Sequence, residues 1–156
     1  MAEITRKRDV IEGLKRRYAP AVAIAQALEG ALGRERALEI LQKAHDAYYA
    51  GKMEELKRQM GGNSWEHWVR YMTREPYSPN SNLVVTEIGG NYLKARVTEC
   101  LHFTAFGELG APWLCGLLCQ SDYPGAQAFN PKLSMTRDHA LAHGDEYCDH
   151  VWWFEE

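Results

Sequence analysis

The chain has 156 residues, 46% of them hydrophobic and 25% charged, with a formal net charge of -3. That length and composition describe one globular domain able to bury a core without staples, and the acidic balance excludes a generally nucleic-acid-binding surface. No apolar run approaches the ~20 residues of a membrane span, and the first residues lack the apolar stretch of a secretory signal. The expectation is therefore a cytoplasmic protein with neither nucleic acid nor membrane among its partners. In that compartment four cysteines are free thiols, ligands or catalysts rather than a disulfide framework. All four (Cys100, Cys115, Cys119 and Cys148) fall in the last third of the chain.

Residues 7 to about 18 have helical periodicity, with Val10, Ile11, Leu14 and Tyr18 on one side and the basic residues on the other. Pro20 suits the first turn of a second helix over 22–32, ended by Gly33. A third helix over 35–60 carries Leu38, Leu41, His45, Tyr48, Tyr49, Met53, Leu56 and Met60. Gly51 weakens its middle by ~1 kcal/mol relative to alanine. Ser64 is placed to cap the next helix. There Trp65, Trp68, Val69 and Met72 recur at i, i+3, i+4 and i+7, which reads as core or as one wall of a ligand cavity.

After a loop over 76–82, two β-rich runs around Gly89 and Gly90 predict a hairpin. Pairing across that turn puts Val84, Thr86 and Ile88 beside Leu93, Ala95 and Val97 on the buried face, with Glu87, Lys94 and Arg96 on the other. The second strand runs into Cys100 and a short helix that stops near 107–110. Pro112 starts a helix on which Cys115, Cys119 and Asp122 stand at i, i+4 and i+7, on one stripe. Pro124 and Gly125 are expected to break it. Residues 133–142 and 147–154 alternate as two strands joined at Gly144 and Asp145. That turn pairs Leu141 with Cys148, His139 with His150, Arg137 with Trp152 and Met135 with Phe154, all on one face. The expected class is α+β: a helical N-terminal half, then a β-hairpin–two helices–β-hairpin unit with an antiparallel sheet of about four strands. It reads as a single domain over 1–156, with a helical part over 1–74 and a sheet-and-helix part over 83–154 that carries the site.

The segment Glu99-Cys100, Leu109-Gly-Ala-Pro-Trp-Leu-Cys115, Cys119-Gln-Ser-Asp122, Phe129-Asn-Pro131, Thr136-Arg137 and Gly144-Asp-Glu-Tyr-Cys148-Asp149 resembles the L-2-amino-thiazoline-4-carboxylic acid hydrolase family. The resemblance implies a bacterial hydrolase that opens a cyclic amidine, taking a 2-aminothiazoline carboxylate and water to a carbamoylated cysteine. It marks Cys100, Cys119, Asp122, Arg137, Gly144, Cys148 and Asp149. The chain departs from the family pattern at His150, at Ala140 and at the Pro124-Gly125 pair. The terminal Gly-x-x-x-Cys is also similar to the end of 4-vinyl-reductase-type small-molecule-binding domains.

Opening an amidine needs a nucleophile at the sp² carbon, a proton for the departing atom and a charge partner for the carboxylate. A thiolate is the strongest nucleophile here if a neighbour lowers its pKa from ~8.5. An ionised Asp122 one turn from Cys119 would raise that thiol, so the pair works with Asp122 protonated, or as a base acting on water. The candidate catalytic residues are Cys119, Asp122, Cys100 and Cys148. The candidate substrate-binding residues are Arg137, Asp149, His139 and His150. Arg137 suits a bidentate grip on a carboxylate and, alternatively, stacking on Trp152. Convergence of Cys148, His150 and His139 on a zinc ion is a competing account, but no C-x-x-C or H-x-x-x-H spacing supports it. Neither a metal nor a cofactor is expected. The partner is a small-molecule substrate, and a homo-oligomer stays open. A binding or sensory module with the same pocket and no turnover is the alternative function.

Overall fold

The computed structural model describes residues 2–74 and 80–155, so the part of the expected loop over 76–79 lies outside the described residues. Among the described residues six α-helices and four strands follow one another. They are α1 Ala2–Leu32, α2 Arg34–Met60, α3 Trp65–Met72, β1 Val84–Ile88, β2 Tyr92–Val97, α4 Leu101–Glu108, α5 Leu114–Gln120, α6 Asp122–Phe129, β3 Leu133–Thr136 and β4 Cys148–Phe154. The fold is α+β with a four-stranded antiparallel sheet in the order β1-β2-β4-β3. No helix among the described residues is long and apolar enough to cross a membrane.

The N-terminal half differs from expectation at Pro20, where one continuous helix replaces two. Proline removes a single intrahelical bond. Burial of Ile11 and Leu14 against Leu101 and Ala105, and of Val22 and Ala25 against Phe106 and Leu114, holds the helix together on both sides of it. The chain reverses at Gly33, whose φ of 81° belongs to the left-handed region that glycine occupies freely. The second helix passes Gly51 unbroken and ends at Gly61, φ 73°. Ser64 has cap backbone angles, but its hydroxyl bonds Glu66 and His67 Nδ1 instead of a helix N–H.

One face of the sheet is covered. Leu93, Ala95, Leu133, Met135 and Trp152 pack there against Trp65, Trp68 and Met72 of α3, Met53 of α2, and Ala126 and Phe129 of α6. The aromatic stripe of α3 is therefore core. Each large side chain buried this way contributes roughly 1.5–3 kcal/mol.

Both hairpins depart from the expected register. In the first, a bulge between Val85 and Glu87 shifts the pairing by one residue. A shift of one exchanges faces, so Val85 pairs with Ala95 and turns inward while Val84 is 59% exposed. Glu87 and Lys94 do share the outer face, as an ion pair 2.8 Å long. In the second, Met135 pairs with Trp152 and Leu133 with Phe154, a slip of two residues from the expected pairing. A slip of two preserves the faces, so Met135 stays on the covered face and there takes the place beside Trp152 expected for Arg137.

The strand β3 ends at Thr136 because side chains then replace the ladder. Asp149 Oδ1 accepts from the backbone N–H groups of Asp138 (3.0 Å) and His139 (2.6 Å), and Asp145 Oδ2 accepts from Ala140 (2.7 Å). The tip is a 3-10 turn at Leu141–His143 followed by Gly144 at φ 95°, not a two-residue turn at Gly144 and Asp145. The helix expected to break after Asp122 bends one residue earlier, at Ser121. Pro124 and Gly125 then fall inside the first turn of α6, where the N–H that proline lacks has no intrahelical partner. At Gly125 a Cβ would lie 2.4 Å from the Tyr49 ring, so glycine lets α6 sit directly on α2.

Candidate functional site

The covered face of the sheet is apolar at one end and chemical at the other. Cys148 and His150 of β4 point to the same side as Trp152, and Arg137 follows β3 onto that face. Above them lie the end of β2, the start of α4 and the α5–α6 bend. Together with α2 they line a half-open cavity of about 420 Å³. Cys100, Cys119, Asp122, Arg137, Cys148 and His150 all line it. The structure thus brings together six of the eight residues singled out from the sequence.

Two do not join them. Asp149 spends its carboxylate on the backbone of the 137–147 loop, and its pKa is lowered. Burial pushes that carboxyl up, but the N–H groups of His139, Asp149 and Asp138 outweigh it. His139 is exposed and packs edge-on against Tyr147, 5.1 Å between ring centroids, beside a separate recess of about 90 Å³. It therefore cannot meet Cys148 and His150 around a metal ion, and no group of three His, Cys, Asp or Glu among the described residues is arranged to hold one.

Arg137 is the centre of the polar network. Its side chain is only 5% exposed. Nη1 donates to the Cys119 carbonyl (3.0 Å), Nη2 to Asp122 Oδ2, and both Nε (3.2 Å) and Nη2 (2.7 Å) reach His150 Nε2. It does not stack on Trp152. That place is taken by His150, parallel to the indole with centroids 5.4 Å apart. With most of its donors engaged inside the protein, Arg137 is a fixed charge under the cavity rather than an open clamp.

That charge sets the protonation of its neighbours. Burial pushes the Asp122 carboxyl up, and Arg137 pulls it back only in part. For Arg137 burial works downward, but Asp122 and Cys119 more than offset it. The pairing favours the charged form of both partners; burial outweighs it for Asp122 and not for Arg137. We read the pair as a permanently charged guanidinium, as arginine is in proteins, beside a carboxyl with raised proton affinity. About a third of the Asp122 side chain remains exposed, toward the cavity it lines.

His150 is pushed down to about 3 by burial and then by Arg137. It is neutral, its Nε2 accepts from Arg137, and its Nδ1 is sealed with no partner among the described residues. A histidine depressed from 6.5 favours folding above that pH, and its contribution is lost as pH falls toward 3. Stability should therefore drop by up to about 1.4 kcal/mol per pH unit on this account. Urea titrations of wild type and His150→Gln between pH 7 and pH 4 measure it; an equally steep fall in the variant would refute the assignment.

The thiols are not equivalent. Cys115 is buried, and its pKa is raised first by Cys100 and then by Cys119, which share its single S–H, so it stays protonated. Cys119 is lowered, first by Cys115 and, against burial, by Arg137. Cys100 is lowered to about 6. Cys115 is the largest cause. Burial opposes it, and the N–H groups of Phe103 and His102 add to it, because Cys100 is the residue that begins α4. Cys148 is raised by burial, and its Sγ accepts from the Leu141 N–H at 3.3 Å. Cys100 is thus the most thiolate-like group in the cavity.

Sequence reasoning gave no role to His45 or His102, yet both line the cavity, as do Tyr48, Tyr49 and Lys52 of α2. Spacing on α2 carries the only signal for them: His45, Tyr48, Tyr49 and Lys52 share one helical stripe.

The model of the L-2-amino-thiazoline-4-carboxylic acid hydrolase family matches residues 14–152. No curated protein matches the chain. Among solved structures, the phenol-responsive sensory domain of the transcription activator PoxR with phenol superposes with a TM-score of 0.59 at 12% identity, over 87% of this chain and 73% of that one. A trafficking protein particle complex subunit 3 from Naegleria fowleri, covalently bound to palmitic acid, superposes with a TM-score of 0.57 at 11% identity, over 96% and 97%. At these identities the two structures share the fold.

Proposed function

The chain belongs to the L-2-amino-thiazoline-4-carboxylic acid hydrolase family, and from that premise we propose that it opens a small cyclic amidine, such as a 2-aminothiazoline carboxylate, to a carbamoyl amino acid. The observation that carries this reading is the meeting of a lowered thiol, Cys100, and a carboxyl of raised proton affinity, Asp122, on one cavity. The Cys100 thiolate attacks the amidine carbon, and the ring C–S bond breaks. The departing sulfur takes a proton from Asp122, leaving an isothiourea on Cys100. Water then adds to the same carbon, one of its protons going to the isothiourea nitrogen and the other restoring the Asp122 carboxyl, and the C–S bond to Cys100 breaks to return the thiolate and a urea. Arg137 holds Asp122 in place, and Lys52 at the α2 wall offers a cation for the substrate carboxylate.

The experiment is acid-quenched incubation with 2-aminothiazoline-4-carboxylate, reading ring loss by absorbance and new small-molecule thiol by titration. Wild type should release one thiol per ring opened, and Cys100→Ser should lose turnover by orders of magnitude while Cys148→Ser keeps most of it. Undiminished turnover in Cys100→Ser would remove Cys100 as the nucleophile. Ring loss without thiol would mean that C–N rather than C–S is cleaved.

A second reading is small-molecule binding without turnover. It is favoured by the aromatic wall of Tyr48, Tyr49, Tyr71 and Trp152 and by the fold shared with a phenol-responsive sensory domain. Saturable calorimetric binding with the ring intact would select it.

A further inference from the structure

On the α2 wall of the same cavity stands a histidine that the steps above leave unused. His45 Nδ1 lies 2.7 Å from Ser121 Oγ, and Ser121 Oγ lies 2.6 Å from Asp46 Oδ1. Gln42 Nε2 donates to both, at 3.0 Å to the hydroxyl and 2.7 Å to the carboxylate. Ser121 is completely buried, so no solvent competes for its single hydrogen.

The bonding is then determined by counting. A carboxylate oxygen only accepts and the Gln42 amide nitrogen only donates, and at 2.6 Å Asp46 is far nearer than the other acceptor, the Leu117 carbonyl at 3.3 Å, so Ser121 gives its hydrogen to Asp46. What Ser121 offers His45 is a lone pair. His45 Nδ1 must therefore carry the proton, and in a neutral ring Nε2 is bare. Burial keeps the ring neutral, while Asp46 pulls the other way. Nε2 makes no hydrogen bond within the described residues and is not among the sealed, unpartnered atoms. Tyr49 lies parallel to the ring at 6.2 Å and steadies it, and His45 lines the same 420 Å³ cavity as Cys100 and Asp122.

We propose that His45 Nε2 is the base that deprotonates the attacking water, and that Ser121, Asp46 and Gln42 are positioning residues that hold its tautomer. The inference rests on the ring-opening reading above. In balance, the water oxygen bonds the isothiourea carbon, one of its protons passes to Nε2 and the other to the isothiourea nitrogen, and the Cys100–carbon bond breaks with its electron pair returning to sulfur. The imidazolium is stabilised through Ser121 by Asp46, then returns its proton by way of cavity water to the Asp122 carboxylate left by the first step. Acid and base work are thereby divided between two groups, a carboxyl that burial keeps protonated and an imidazole that burial keeps neutral.

The test uses the full chain labelled with 15N-histidine, with His45 identified by its loss in His45→Gln. At neutral pH wild type should show Nδ1 protonated and Nε2 bare, and Ser121→Ala should shift His45 toward the Nε2–H form. With 2-aminothiazoline-4-carboxylate, His45→Gln should lower kcat by about 10²–10⁴-fold, and Ser121→Ala should lower kcat with KM little changed. Should Ser121→Ala not fold, Asp46→Asn keeps the side chain's size and should lower kcat without moving KM. A protonated Nε2 in wild type, or an undiminished kcat in His45→Gln, overturns the proposal while leaving the hydrolase reading intact. A wild type that leaves the ring closed overturns both.

Discussion

Asp122→Asn should leave a folded protein that turns over a ring substrate about 10²–10⁴-fold more slowly. The asparagine keeps the size of the side chain and an oxygen to accept from Arg137 Nη2, so the network beneath the cavity survives. What disappears is the titratable proton. In the proposed reaction that proton goes to the departing sulfur, the step a carboxyl with raised proton affinity is suited to perform. Steady-state turnover and a thermal melt, measured on the same preparation, decide it. A folded Asp122→Asn protein with wild-type turnover would remove Asp122 from the chemistry.

Arg137→Met should have the largest effect on stability, about 3–5 kcal/mol at pH 8, because it strands a buried partner. The guanidinium is 5% exposed and serves Asp122, His150 Nε2 and the Cys119 carbonyl at once. Methionine fills much of the space and satisfies none of them. The sign with pH follows. Without its counter-charge the Asp122 carboxyl rises further above its unfolded value, so the folded state is favoured while it is protonated and loses stability as pH rises through that pKa. The deficit should therefore shrink on acidification. The double variant Arg137→Met/Asp122→Asn should regain part of the loss, since it leaves no unpaired charge. Chemical denaturation at pH 8 and pH 5 measures all three proteins; a loss under 1 kcal/mol at pH 8 would show that Arg137 is not the keystone of the network.

Much of this arrangement was legible in the sequence, for local reasons. Two periodicities, 3.6 and 2, mark which side chains share a face. They placed Trp65, Trp68 and Met72 in the core and Cys148 and His150 on one face of a sheet, and those placements stand; Arg137 reaches that face from just beyond β3, and His139, expected beside it, is exposed instead. Gly33 and Gly61 marked the ends of helices because their left-handed angles suit glycine. The family resemblance selected Cys100, Cys119, Asp122 and Cys148 from ordered motifs, and all four line one cavity.

Other features were decided only by distant parts of the chain. The slip of the terminal hairpin follows from Met135 packing beside Trp152 and from Asp149 and Asp145 capturing backbone N–H groups of the 137–147 loop. Alternation alone cannot distinguish registers two residues apart, since both keep the same faces. The ranking of the thiols depends on Cys115 standing between Cys100 and Cys119, and on Cys100 beginning a helix whose N–H groups point at it. His45 shows the limit most clearly. Its tautomer depends on Ser121, 76 positions away, buried where α5 bends into α6. The sequence by itself determined which helices form and which groups share a face, because backbone geometry is local. Only the tertiary structure decided which of those groups hold protons, because burial and a neighbour's charge or hydrogen bond are properties of the packed molecule.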